Sequence, residues 1–152
     1  MRTLGNLIWF VCFGFWTWLL WLLVSILAFI SVVGIPWGRA CWNISWLAFA
    51  PFGKETIDRR DLTLKRDIGT SLFGSVGNII WFIFAGVWLA VGHAISGAIC
   101  CMTLLGIPFG IQHFKLAGIA IAPIGKTIVS SELAAVARDT NAKSDLERVR
   151  AR

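Results

Sequence analysis

The sequence predicts an all-α membrane protein, a tandem repeat of two helical hairpins with about four membrane-embedded helices and Gly-Pro breaks. Three observations carry that reading. Two long stretches, Thr3–Gly38 and Ile68–Gln112, contain no Asp, Glu, Lys or Arg, and each is far longer than the ~18 uncharged residues that mark a membrane span. The composition is 57% hydrophobic and 14% charged, against roughly 25% charged in a soluble domain. Three motifs also recur in a single ungapped register.

The repeat is explicit in the residues. Leu4-Gly5-Asn6-Leu7-Ile8-Trp9-Phe10 returns as Val76-Gly77-Asn78-Ile79-Ile80-Trp81-Phe82, Gly34-Ile35-Pro36-Trp37-Gly38 as Gly106-Ile107-Pro108-Phe109-Gly110, and Phe49-Ala50-Pro51-Phe52-Gly53-Lys54 as Ile121-Ala122-Pro123-Ile124-Gly125-Lys126. Every pair is offset by 72 residues, and Gly14 and Trp16 match Gly86 and Trp88 in the same register. The chain therefore divides into a first repeat (4–54), a polar loop (55–69), a second repeat (70–129) and a basic C-terminal tail (130–152).

Taken in order, the N-terminal apolar run is too long for the h-region of a cleavable signal and has no A-x-A site, so it is expected to stay as an anchor. As one helix the 29-residue first stretch of each unit would reach about 43 Å. A hydrocarbon core is about 30 Å thick, so the helix must tilt, protrude or bend, with Gly14 and Gly86 as the candidate places. The G-I-P-x-G break (Gly34, Pro36, Gly38; Gly106, Pro108, Gly110) follows, because Pro removes a backbone donor and Gly opens backbone angles. The second stretch, Arg39–Gly53 or Ile111–Gly125, has 15 residues, about 22 Å as helix, and reads as a short tilted helix, a re-entrant segment or an interfacial one. The A-P-x-G-K ends (Pro51, Gly53, Lys54; Pro123, Gly125, Lys126) set a Lys at the interface, where it can snorkel.

Charge sets the expected topology. Five Lys or Arg lie in Lys54–Asp67 and six from Lys126 onward, and both segments belong on the cytoplasmic side by the positive-inside rule. Even crossings per unit follow, with both termini cytoplasmic and the two repeats parallel; a two-crossing inverted arrangement is the alternative. In the tail, Ser130–Arg138 reads as a short capped helix, and the residues beyond Asp139 as frayed or lipid-associated. The net charge of +6 flanks apolar spans, which gives no reason to expect nucleic-acid binding.

With the repeat laid out, the chain resembles the YccF family of bacterial inner membrane proteins, on the doubled G-N-hydrophobic-W-F start, the G-I-P-W/F-G break and the A-P-F/I-G-K end. The likeness covers residues 4 to about 129. It implies a bacterial inner (plasma) membrane location and a two-copy inner membrane component domain, and it transfers no catalytic residue.

The residues offer a few polar candidates. His93, Ser96, Gly97, Cys100 and Thr103 share one helix face, readable as a pathway lining or as helix packing. Arg39, Gln112, His113 and Lys115 follow the breaks and suit a lipid phosphate or interfacial anchoring. Asn6 and Asn78 suit capping or an inter-repeat contact. Cys12, Cys41, Cys100 and Cys101 form no C-x-x-C pair and read as apolar packing. His93, His113 and Cys100 lack metal-ligand spacing, so neither a metal nor any other cofactor is expected. No enzyme motif is present, and no catalytic residue is assigned. Two functions remain: an oligomeric channel-like or permeation protein, and a structural or accessory subunit that binds membrane lipid or another membrane protein. A homo-oligomer is expected; the sequence names no protein partner.

Overall fold

The computed structural model describes residues 2–151. In chain order the elements are α1 (Arg2–Ile30), α2 (Ile35–Phe49), β1 (Lys54–Asp58), α3 (Arg59–Thr63), α4 (Leu72–Cys101), α5 (Ile107–Ile121), β2 (Lys126–Ser130) and α6 (Ser131–Arg150). Each unit is thus one long helix, a turn and a shorter helix folded back along it. The helical membrane architecture is as the apolar runs predict.

The long helices have 29 and 30 residues and are wound as π-helix over Phe10–Gly14 and Phe82–Gly86. The expected irregularity at Gly14 and Gly86 has a visible cause. A Cβ on Gly14 would stand 2.7 Å from the Trp9 indole, and one on Gly86 2.8 Å from that of Trp81. The bare glycine lets the indole cross the helix surface to the neighbouring short helix, and a π-turn absorbs the displacement.

The G-I-P-x-G break proves to be a helix start. Pro36 and Pro108 sit in the first turn of α2 and α5, where a missing N–H costs nothing. The turn before it is closed by a hydroxyl: Ser31 Oγ accepts from Gly34 N at 3.0 Å, and its counterpart Thr103 Oγ1 accepts from Gly106 N at 3.1 Å.

The A-P-x-G-K ends turn into strands. Gly53 and Gly125 have φ of 82° and 89°, a left-handed conformation that favours glycine. Beyond them β1 and β2 pair antiparallel, Lys54 opposite Ser130, Thr56 opposite Ile128 and Asp58 opposite Lys126. This corrects the reading of 55–69 as a plain loop. The tail is corrected too. α6 is one helix of 20 residues and does not fray at Asp139. Ser130 caps it at Leu133 N, Arg138 pairs with Glu55, Asn141 donates to Asp61 O, and Asp139–Lys143 bridges one turn of its surface. A helix polar all round gives no periodic apolar signal and is held by such pairs and docking contacts.

Thr56 and Ile128 are counterparts in the repeat, and so are Trp21 and His93, whose rings lie parallel with centroids 6.1 Å apart. Two contacts between counterparts define a local two-fold axis through the ribbon and the middle of the helices. That axis passes through the contacts Thr56–Ile128 and Trp21–His93 and relates the two units.

They do not stand side by side. Trp37, at the tip of the first unit, donates to Gly77 O at the base of α4 at 3.0 Å, and Phe109, at the tip of the second, packs on Phe52 at the base of α1. The tip of each unit thus lies against the base of the other. The short helices take the inner positions: Cys41, Ile44, Leu47 and Ala48 of α2 meet Leu116, Ile119 and Ala120 of α5 in one core. The long helices leave residues such as Leu20, Leu27, Ile83 and Trp88 exposed, a surface suited to hydrocarbon.

Candidate functional site

The polar residues that the repeat does not explain by turn geometry converge on the two-fold axis. His93 of α4 lies between Trp21 of α1 and His113 of α5. Trp21 Nε1 donates to His93 Nε2 at 3.3 Å, and the two Nδ1 atoms of His93 and His113 are 3.3 Å apart. The first contact makes Nε2 of His93 an acceptor, which assigns the proton of the neutral ring to Nδ1. His93 then donates to His113 Nδ1, and His113 carries its own proton on Nε2. Trp9 and Phe13 wall that ring at 4.9 and 5.2 Å. His113 is 3% exposed and its Nε2 has no partner; Gln112, 5% exposed, donates to Pro108 O while its Oε1 has none. Buried polar atoms without partners are rare, so this is the site where the structure departs most from simple packing.

The rest of the expected stripe is dispersed. Gly97 is buried where α4 meets α5, and a Cβ there would stand 3.1 Å from Gly110 O. Its counterpart Ser25 donates to Gly38 O at 2.8 Å. Ser96 bonds back to Gly92 O and Thr103 serves the turn. Cys100 is half-buried and unpaired, and a Cβ on Gly110 would stand 3.5 Å from its own. The histidines do meet, but among the described residues no set of three His, Cys, Asp or Glu forms.

Asn6 and Asn78 neither cap their own helix nor link the repeats. Each makes a two-bond clasp inside its unit. Asn6 Nδ2 donates to Phe52 O and Oδ1 accepts from Phe52 N, at 3.2 and 2.9 Å; Asn78 does the same with Ile124 at 3.0 and 2.9 Å. Pro51 and Pro123 are buried beside these clasps. Lys54 Nζ lies 3.5 Å from Trp46 O, and Lys115 donates to Lys54 O at 3.2 Å. Trp9 and Trp81 carried no role in the sequence beyond the motif, although their recurrence beside Asn was the available signal.

Arg39 and Lys126 border a separate feature, a cavity of about 1040 Å³ where the tip of the first unit meets the base of the second. Arg59 and Asp67 close its polar edge, with Nη2 donating to Oδ1 at 2.9 Å. Burial raises the Asp67 carboxyl, but the hydrogen bonds from Arg59 and Thr70 outweigh it and hold the group below the usual carboxylate range.

Comparison with known proteins agrees with this architecture. The family model described as the inner membrane component domain matches residues 4–54 and 76–126, one copy per unit. Inner membrane protein YccF of Escherichia coli (strain K12) and that of Shigella flexneri are each 39% identical over 148 residues, covering 97% of this chain and 100% of the relative. No solved structure matches. With both copies of the domain in place along nearly the whole chain, the protein belongs to the YccF family of inner membrane proteins.

Proposed function

We propose that the chain is a non-enzymatic accessory subunit of the inner membrane. It assembles as a homo-oligomer or with another membrane protein, its termini and ribbon on the cytoplasmic side. The observation that carries this reading is the closure of the polar stripe: His93 is spent on Trp21 and His113, Gly97 on a helix crossing and Thr103 on a turn. What the bundle leaves free is an apolar exterior and a charged cap. The gathering of Lys54, Arg59, Arg60, Lys65, Arg66 and Lys126 around the ribbon supports the orientation. Crosslinking in native membranes, followed by purification in mild detergent, is expected to yield a homo-oligomer or a stoichiometric second protein. Recovery of a lone monomer would overturn the reading. For the orientation, Lys65→Cys is expected to resist an impermeant thiol reagent in intact cells.

A second reading, a permeation protein, is favoured by the unpartnered Nε2 of His113 and Oε1 of Gln112, since a path would supply their partners. Ion flux through liposomes of the purified protein, altered by His93→Ala, is its expected signature. Absence of flux removes it.

A further inference from the structure

The two junctions between tip and base are counterparts, yet they are built differently. At the tip of the second unit the space is filled by three phenylalanines: Phe109 packs against Phe52 with centroids 5.7 Å apart and against Phe13 at 6.3 Å. At the tip of the first unit the counterparts are Trp37, Ile124 and Ala85. Beside Trp37 and Ile124 lies the cavity of about 1040 Å³, at the upper end of the ~300–1,000 Å³ common for small-molecule sites.

Its walls divide by chemistry. Phe29, Val33, Trp37, Val76 and Ile80 form an apolar side, open to the bilayer through exposed Val33, Val76 and Ile80. Arg39, Lys126 and the Arg59–Asp67 pair form the polar side, at the first residue of β2. The pair nearly neutralises itself. Among the described residues, Arg39 and Lys126 make no ion pair. Arg39 is also particular to this junction, because its counterpart at the filled one is Ile111. An open apolar wall with two cations at its edge, neither in an ion pair though Lys126 faces Asp58 across the ribbon, complements one kind of molecule, an acyl chain attached to a phosphate.

We propose that this groove is a binding site for one anionic phospholipid, its phosphate held by Arg39 and Lys126 and an acyl chain laid over Trp37, Val76 and Ile80. The proposal depends on the bilayer location but not on the accessory reading, so crosslinking that finds no partner leaves it standing, and failed lipid retention leaves that reading standing.

The test is retention of phosphatidylglycerol or phosphatidylcholine by the full-length protein, read by native mass spectrometry after purification in detergent. One phosphatidylglycerol per chain is expected to persist, favoured over phosphatidylcholine by about tenfold, as two cations near a lipid phosphate would give. Arg39→Gln with Lys126→Gln should abolish the preference, while Lys65→Gln with Arg66→Gln, which removes the same charge outside the groove, should keep it. Val76→Trp, which fills the apolar side, should lower retention of both lipids, so the proposal stays testable if the charge variant does not fold. Equal retention of the two lipids, equal loss in both charge variants, or displacement of the lipid by inorganic phosphate alone would overturn it.

Discussion

The indole N–H of Trp9 donates to the carbonyl of Ala48 at 2.7 Å, and Trp81 does the same to Ala120 at 2.7 Å. Ala48 and Ala120 lie in the last turn of a short helix, where the carbonyls have no helical partner. In hydrocarbon no water takes that place, so a recurrent Trp is the means by which each hairpin closes. Trp9→Phe and Trp81→Phe keep the ring and remove the donor. Each is expected to destabilise by about 1–3 kcal/mol, the cost of a buried acceptor left unmet. The losses should add, since the bonds belong to different units. Reversible unfolding in mixed micelles measures this, and an unchanged midpoint would refute it.

The clasps of Asn6 and Asn78 make a graded prediction. Asn78→Asp keeps the acceptor for Ile124 N but cannot donate to Ile124 O, whereas Asn78→Leu loses both bonds. Asp should therefore fall between wild type and Leu, with about 1–2 kcal/mol for each bond lost. Equal loss of stability in the two variants would show that only the amide's shape matters.

Trp21 and His93 should be energetically coupled. His93→Phe strands the Trp21 N–H and the ring of His113, whereas in Trp21→Phe the donor is already gone. A double-mutant cycle of these changes is expected to show at least about 0.5 kcal/mol of interaction. A cycle that closes to zero would mean the stacked rings are mere neighbours.

The polar cap carries a pH dependence of defined sign. Asp67 has a folded pKa below its ordinary value, despite the opposing effect of burial, so its contribution is complete above about 3.9, the unfolded value, and fades as pH falls through the lower folded one. The amide of Thr70, which donates to Asp67 Oδ1 at 2.8 Å, reports it. Its protection from hydrogen exchange should hold at about pH 5 and drop below about pH 3.5. In Asp67→Asn the acid step should vanish, because nothing there titrates.

Much of this structure is readable in the residues because the repeat doubles each local signal. Pro36 and Pro108 announce the same turn, and Gly53 and Gly125 the same left-handed residue. The unread parts depend on partners far away in sequence. β1 is five residues with three charges, unremarkable until β2 lies beside it. Nothing near Asn6 points to Phe52. The different filling of the junctions is visible only once Trp37 is seen against α4 and Phe109 against Phe52. α6 has no apolar face to betray it, and its docking through Arg138 and Asn141 spans 83 and 80 residues. Spacing placed the five-residue stripe on one helix face, but Thr103 lies in the turn beyond α4, and only His93 reaches Trp21 and His113.

A ribbon in which a segment faces its own counterpart is self-complementary, as every contact across a two-fold must be. Each unit supplies one strand of that handshake, and its counterpart in the repeat supplies the other. Joining them in one polypeptide adds little new contact but releases each half from having to be identical. The indole at 21 opposite an imidazole at 93, and a guanidinium at 39 where the sister half has an isoleucine, are differences that such freedom permits. The doubled chain is in this sense a dimer that has learned to be asymmetric.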